Sequence, residues 1–118
     1  MLISELARRA SVSTSKIRFY EARGLLPPAA RLPNGYRDYA DHDLDVVKFI
    51  ERAKSLDFTL RDVATHLSSP AGDARKARLQ ARLEEKLVEL DIHMEQVRAS
   101  RAAILNLIDA VRNARTPA

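Results

Sequence analysis

Apolar positions along this chain recur first in short bursts at helical spacing, separated by turn residues, and then settle into one long regular stripe. Leu6, Ala7 and Ala10 form the first burst, a short amphipathic helix that Ser4 can cap through its hydroxyl. Ser11-Val12-Ser13 interrupts it as a turn. Either Ser13 or Thr14 can cap a second helix, which Ile17, Tyr20 and Glu21 continue until Gly24 ends it in a left-handed conformation. Pro27-Pro28 forbids further helix. Arg31-Leu32-Pro33-Asn34-Gly35-Tyr36-Arg37-Asp38-Tyr39 then carries Asn-Gly, a strong hairpin signal, so residues 30–39 read as a small two-stranded wing.

Asp41 can cap a third helix, in which Leu44, Val47, Phe49, Ile50, Ala53 and Leu56 form a broad apolar face, with Asp57-Phe58 as its exit. Thr59-Leu60-Arg61-Asp62 has the form of a capping box and opens a fourth helix, with Leu60, Val63, Ala64 and Leu67 inward. Ser68-Ser69-Pro70-Ala71-Gly72 is the clear linker. Residues 74–113 contain no Pro or Gly and read as a single helix. In it Leu83, Leu87, Leu90, Met94, Val97, Ile104, Ile108 and Val111 alternate spacings of four and three, with Arg101 in the missing slot. This heptad seam runs roughly 42 Å at 1.5 Å per residue, longer than the small N-terminal part could cover. Each aliphatic side chain gains ~1.5–3 kcal/mol on burial, so the seam predicts pairing with a second copy. Arg101 either sets the register by pairing with an acid of the partner or extends its long stem out to solvent.

The predicted class is therefore mainly all-α: a winged helix-turn-helix over 1–69, a linker over 70–74, a coiled-coil dimerisation helix over 75–113, and a frayed tail over 114–118. Composition agrees, since only 5% of residues are aromatic in a chain that is 46% hydrophobic, which suits helices better than a sheet. At 118 residues there is little room for a second catalytic or ligand-binding domain. Without cysteine there is no disulfide, zinc-thiolate site or thiol switch. The start, Met1-Leu2-Ile3-Ser4-Glu5, is unlike a secretory leader, and no apolar run approaches the ~18 residues of a membrane span, so a cytoplasmic protein is expected. The net charge is only +4, but residues 1–40 hold seven bases against three acids, an electrostatic footprint suited to phosphates.

The segment from Ile3-Ser4-Glu5-Leu6-Ala7 through Ile17-Arg18-Phe19-Tyr20-Glu21 to Gly24-Leu25-Leu26 resembles the opening signature of the MerR family of transcription regulators. Asn34-Gly35-Tyr36-Arg37-Asp38-Tyr39 looks like that family's wing, and Phe49-Ile50 with Leu56-Asp57-Phe58-Thr59-Leu60 looks like its third and fourth helices. The likeness covers nearly the whole chain, in order and spacing. It departs at Phe19, where the family usually has Tyr, and at Asp57, where it commonly has Gly.

The resemblance implies that the second helix enters the DNA major groove while the wing and the corner between helices three and four grip phosphates. Thr14, Ser15 and Lys16 would then reach base edges or phosphate oxygens, and Arg18 would make a bidentate contact, unless it pairs with Glu21 one turn on. Phe19 is left with thymine-methyl or sugar contact, and Tyr20 with core packing plus a phosphate contact from its hydroxyl. Tyr36 and Arg37 match the phosphate-gripping pair of the wing, while Tyr39 is either a third such contact or a core residue. Lys54 and Thr59 are the candidates at the helix corner. The resemblance further implies antiparallel dimer helices, a near-palindromic promoter operator, distortion of the spacer DNA, and RNA polymerase as a partner.

Neither metal nor cofactor is expected. His42, His66 and His93 show no ligand spacing, and Leu105-Asn106-Leu107-Ile108-Asp109 stands where metal-sensing relatives place cysteines. No catalytic arrangement stands out, and an enzyme is not expected. Two other classes fit parts of the pattern: an architectural DNA-bending protein akin to excisionases, favoured by weak sequence preference, and a protein-interaction adaptor using the long helix, favoured by a monomer.

Overall fold

The computed structural model describes residues 1–114. They form α1 (Ile3–Ala10), α2 (Thr14–Ala22), β1 (Ala30–Arg31), β2 (Arg37–Asp38), α3 (Asp41–Ser55), α4 (Leu60–Ser68) and α5 (Asp73–Asn113). This is the expected class, mainly helical with a two-stranded antiparallel wing. Beyond Ala114, the tail expected over 114–118 lies outside the described residues. The chain divides into two compact units, Met1–Ala71 and a second that begins at Gly72.

The core of the first unit is built from Leu6 and Ala7 of α1, Ile17 and Tyr20 of α2, Leu25, Leu26, Tyr39, Val46, Val47 and Ile50 of α3, and Val63 of α4. Every helix gives its inward stripe and none could bury that stripe alone, so the unit is cooperative. Two members of the α3 face differ from expectation. Val46 is buried, whereas Leu56 is half exposed, because it lies beyond the last helical residue and well around the helix from Val47 and Ile50.

Three helix ends close in one way. After α1, Val12 N–H donates to Ala7 O at 3.0 Å and Ser11 N–H to Arg8 O at 3.3 Å. After α2, Leu25 donates to Tyr20 O at 2.9 Å and Gly24 to Glu21 O at 3.1 Å. After α3, Phe58 donates to Ala53 O at 3.0 Å and Asp57 to Lys54 O at 3.1 Å. The pivot is left-handed each time: Ser11 (φ 57°), Gly24 (φ 74°) and Asp57 (φ 65°). An apolar residue follows each pivot, the arrangement of a Schellman motif, and after α1 and α2 this residue, Val12 or Leu25, packs inward. Asp tolerates this conformation better than most residues, which accounts for Asp57 where the related pattern carries Gly.

The starts of helices were less legible. Ser13 caps α2 by accepting from Lys16 N at 3.1 Å, and Thr59 caps α4 in a reciprocal box with Asp62, both bonds 3.1 Å. Ser4, however, lies inside α1, whose N-cap is Leu2. The chain is already anchored upstream: the Met1 ammonium donates to Asp38 Oδ1 and Tyr39 O, and Tyr39 N–H returns to Met1 O at 2.7 Å. Likewise Asp41 is the first helical residue of α3 rather than its cap. Asp43, only 6% exposed, reaches back to accept from Ala40 N at 2.9 Å.

The wing pairs Ala30 with Asp38 and Arg31 with Arg37. Leu32 N–H donates to Tyr36 O at 2.7 Å and Gly35 N–H to Leu32 O at 2.9 Å, with Gly35 at φ 87°. A turn with Pro33 second and left-handed Gly35 last is a three-residue loop with a glycine bulge. Asn34 Oδ1 stiffens it by accepting from Tyr36 N.

In the second unit α5 runs 41 residues, roughly 60 Å. It starts at Asp73, within the segment read as linker. The seam residues Leu83, Leu87, Leu90, Met94, Val97, Ile104, Ile108 and Val111 are 41–75% exposed, and Arg101 is exposed among them. Val88, Ile92, Leu105 and Leu107 are exposed as well. Pairs such as Arg82–Glu85 (3.6 Å), Lys86–Glu89 (3.7 Å) and Arg98–Glu95 (3.6 Å) brace its charged faces. Among the described residues no helix is long and apolar enough to cross a membrane.

Ile17→Ala tests the first unit's dependence on the inner face of α2, because Ile17 is fully buried. The expected loss of unfolding free energy is about 2–5 kcal/mol, measured by urea denaturation; a loss well under 1 kcal/mol would contradict the packing described.

Candidate functional site

Helical geometry decides what α2 offers to a ligand. Successive residues are rotated by about 100°, so burying Ile17 and Tyr20 leaves Ser15, Arg18, Phe19 and Ala22 facing outward. The polar residues expected together on one exposed side are therefore divided. Ser15 and Arg18 are exposed, Thr14 is half-buried, and Lys16 lies beside Tyr20 on the flank nearest α3. Arg18 makes no ion pair with Glu21, and among the described residues no other ion pair or hydrogen bond engages its side chain. Phe19 is 45% exposed, with the Arg23 guanidinium 5.6 Å above its ring and the Tyr20 ring 5.9 Å away.

Lys16 belongs to a partly buried cluster shared by α2 and α3. Its Nζ donates to the Glu51 carboxylate at 3.1 Å. The Tyr20 hydroxyl donates a short bond to Glu51 Oε1, and Lys54 Nζ lies 3.3 Å from that hydroxyl, over the Tyr20 ring. The Tyr20 ring is core, and its hydroxyl is already engaged. Burial raises the Tyr20 phenol far above its ordinary value, and Glu51 adds to the effect. The hydrogen bond to Glu51 raises Lys16. Burial and the neighbouring Lys16 charge push Lys54 down. Burial would raise the Glu51 carboxyl, but hydrogen bonds from Tyr20 and Lys16 and the charge of Lys54 hold it below the usual carboxylate range. Sequence reading missed Glu51. Its one signal is its place on α3 a single turn before Lys54, beside the buried Ile50.

A second cluster ties the wing to α2. Arg37 Nη1 donates a short bond to Glu21 Oε2, and the Glu21 side chain is only 10% exposed. The Tyr39 ring is 2% exposed and its buried hydroxyl faces this pair, so the core alternative for Tyr39 is the one found. Burial raises the Tyr39 phenol, while Tyr39 and Glu21 together raise the Arg37 guanidinium. Tyr36, 63% exposed, projects from the wing. At the α3–α4 corner Thr59 Oγ1 accepts from the Asp62 amide, leaving its hydroxyl proton to donate. Ser15, Arg18 and Tyr36 are thus exposed and Lys16, Arg37 and Lys54 half-buried, with Lys16 and Lys54 beside Glu51 on one flank of α2 and Arg37 beside Glu21 on another, all cationic or hydroxylic groups suited to anionic oxygens.

Comparison with known proteins gives the chain a family. Residues 1–69 match the MerR HTH family regulatory protein and residues 44–107 match the MerR, DNA binding family. The chain belongs to the MerR family. It is a MerR-type DNA-binding transcriptional regulator, and the fold described above is the one this family shares. It is 30% identical over 112 residues to the HTH-type transcriptional regulator CueR of Salmonella typhimurium, covering 93% of this chain and 80% of that protein. The crystal structure of PbrR691 from Ralstonia metallidurans CH34, in complex with Lead(II), superposes with a TM-score of 0.74 at 28% identity, over 98% of this chain and 91% of that one. HiNmlR, a MerR family regulator lacking the sensor domain and bound to promoter DNA, shares the fold at 22% identity and a TM-score of 0.52, over 92% of this chain and 78% of its own.

The raised Tyr20 phenol links the stability of this MerR protein to alkaline pH. An unfolded chain ionises this phenol near pH 10, whereas the fold keeps its proton beyond that, so the contribution is complete below pH 10 and is lost as pH rises. Tyr20→Phe should flatten that decline in thermal melts between pH 9 and 11, leaving part of it to Tyr39; an unchanged slope would contradict the assignment. Arg37→Met, which strands the Glu21 carboxylate, should lower the midpoint of chemical denaturation; an unchanged midpoint would contradict the pairing.

Proposed function

We propose that this protein is a homodimeric regulator that reads a near-palindromic promoter operator through α2 and grips the flanking phosphates with the wing and the α3–α4 corner. The observation that carries the reading is Arg18: an exposed arginine without an ion pair among the described residues, on the outward face of a helix whose other face is buried. A guanidinium so held can donate two parallel hydrogen bonds to a guanine edge or a phosphate. Ser15 and Thr14 supply short polar contacts beside it, Phe19 an apolar one, and Tyr36, Arg37, Lys54 and Thr59 the phosphate grip. Lys16 joins them once released from Glu51. Tyr20 and Tyr39 support the surface from beneath.

The exposed seam on α5 supports dimerisation, with Leu83, Leu87, Leu90, Met94, Val97, Ile104, Ile108 and Val111 as the interface and Arg101 in its polar slot. Leaving eight large apolar side chains in water forgoes a gain that a second copy supplies. An antiparallel pair would hold two α2 helices about one DNA turn, ~34 Å, or a multiple apart. Distorting a promoter spacer costs on the order of 1–10 kcal/mol, which two sets of phosphate anchors could meet. RNA polymerase is then the natural partner, and the cytoplasm the place of action. Lead binding is not carried over from PbrR691: soft metals of this kind select thiolates, these 118 residues contain no cysteine, and no cluster of three His, Asp or Glu side chains forms among the described residues.

Selection of bound duplexes from a random DNA pool at near-physiological salt should return a palindrome with half-sites about one turn apart. Recovery of no shared sequence would overturn the reading in favour of an architectural binder. On the recovered site Arg18→Ala should cost about 1–3 kcal/mol and relax specificity at one base position. Leu90→Glu should shift sedimentation from dimer to monomer; a wild-type monomer would refute the dimer.

A further inference from the structure

Glu51 is the group for which DNA binding has no evident use, since a carboxylate on a phosphate-facing surface repels what that surface attracts. It nevertheless sits among donors of the kind that a phosphate accepts from. Lys16 Nζ is 3.1 Å from the carboxylate, the Tyr20 hydroxyl donates to Oε1, and Lys54 closes the group 3.3 Å from that hydroxyl. An ammonium and a phenol converging on one anionic oxygen, with a second ammonium beside them, are the donors a backbone phosphate oxygen would accept. The pair is not locked in the core, for the side chains of Lys16 and Glu51 are 35% and 28% exposed, within reach of an approaching strand.

We infer that Glu51 is an internal stand-in for DNA phosphate, which occupies the Lys16 and Lys54 corner in the free protein and must yield it when that corner engages DNA. The inference rests on the DNA-binding reading above. It separates the two cations of α2: Arg18 is available at once, whereas Lys16 exchanges one anion for another and gains little from a poorly placed phosphate. Only a backbone docked in register, with α2 seated in its groove, presents a phosphate where the exchange is complete. Glu51 thereby weakens binding to arbitrary DNA more than binding to the operator and raises the ratio between them, the quantity that matters among many competing sites.

The test compares wild type with Glu51→Gln, which keeps an oxygen to accept from Tyr20 while removing the charge. Circular dichroism first verifies that the variant folds. With a duplex of arbitrary sequence, Glu51→Gln should bind about three- to tenfold tighter, and the slope of log K against log salt should steepen by about 0.9 for each lysine released. In a Lys16→Met background the same change should have markedly less effect, since the competition acts through Lys16. Equal or weaker binding by Glu51→Gln, or an undiminished gain without Lys16, would overturn the inference and leave Glu51 as a positioning residue or a diffuse charge. Failure of wild type to bind any duplex would remove the DNA-binding reading itself, a separate result. A readout that needs no variant to fold is the Lys16 ammonium resonance of the wild-type protein. It should shift when the selected operator duplex is added and move less with the arbitrary one; an unmoved signal at operator saturation would refute the exchange.

Discussion

The structure depends on the burial of one face of α2. A helix of nine residues is too short to persist in water by itself, because its nucleation cost is repaid only over longer runs. Ile17 and Tyr20 anchor it by entering the core formed with Leu6, Val47 and Ile50, and that anchoring fixes the direction in which every other α2 side chain points. Tyr20 does so twice over, with its ring in the core and its hydroxyl on the α3 carboxylate. The same residue therefore holds the helix and orders the Lys16, Glu51 and Lys54 charges around it, so that the arrangement of this cluster follows from packing.

Much of the fold was legible because it follows local periodicity and turn chemistry. The four short helices, the Gly24 stop, the Thr59–Asp62 box, the wing over residues 30–39 and the long α5 all come from signals spanning a few residues. Where reading failed, another contact or a change of chain direction had displaced the expected one. Ser4 and Asp41 are good capping residues by type, yet Met1 pairing with Tyr39 and the return of Asp43 to Ala40 start those helices elsewhere. Leu56 carries the right residue type just past the last helical turn, where the chain has already changed direction.

The site was legible by composition and less so by orientation. Arg18 and Tyr36 stand exposed as their positions suggested, whereas Lys16 and Arg37 each meet a carboxylate from another segment, Glu51 and Glu21, at separations of 35 and 16 residues. No spacing rule links residues so far apart, and a single sequence does not reveal which acid returns to which base. The distinction matters here because an ion-paired lysine and an unpaired arginine look alike in a count of charges and differ in what they offer a phosphate.

The left-handed closures at Ser11, Gly24 and Asp57 bear on how such a protein can change over evolutionary time. Those helix ends are fixed by main-chain bonds around a left-handed residue, and so make little demand on the outward side chains between them. If α2 reads DNA as proposed, mutational drift at Ser15, Arg18 or Phe19 can thus explore new operators without unpicking the scaffold. Duplicated copies of this chain could come to control different promoters by a handful of surface exchanges, their frames remaining interchangeable.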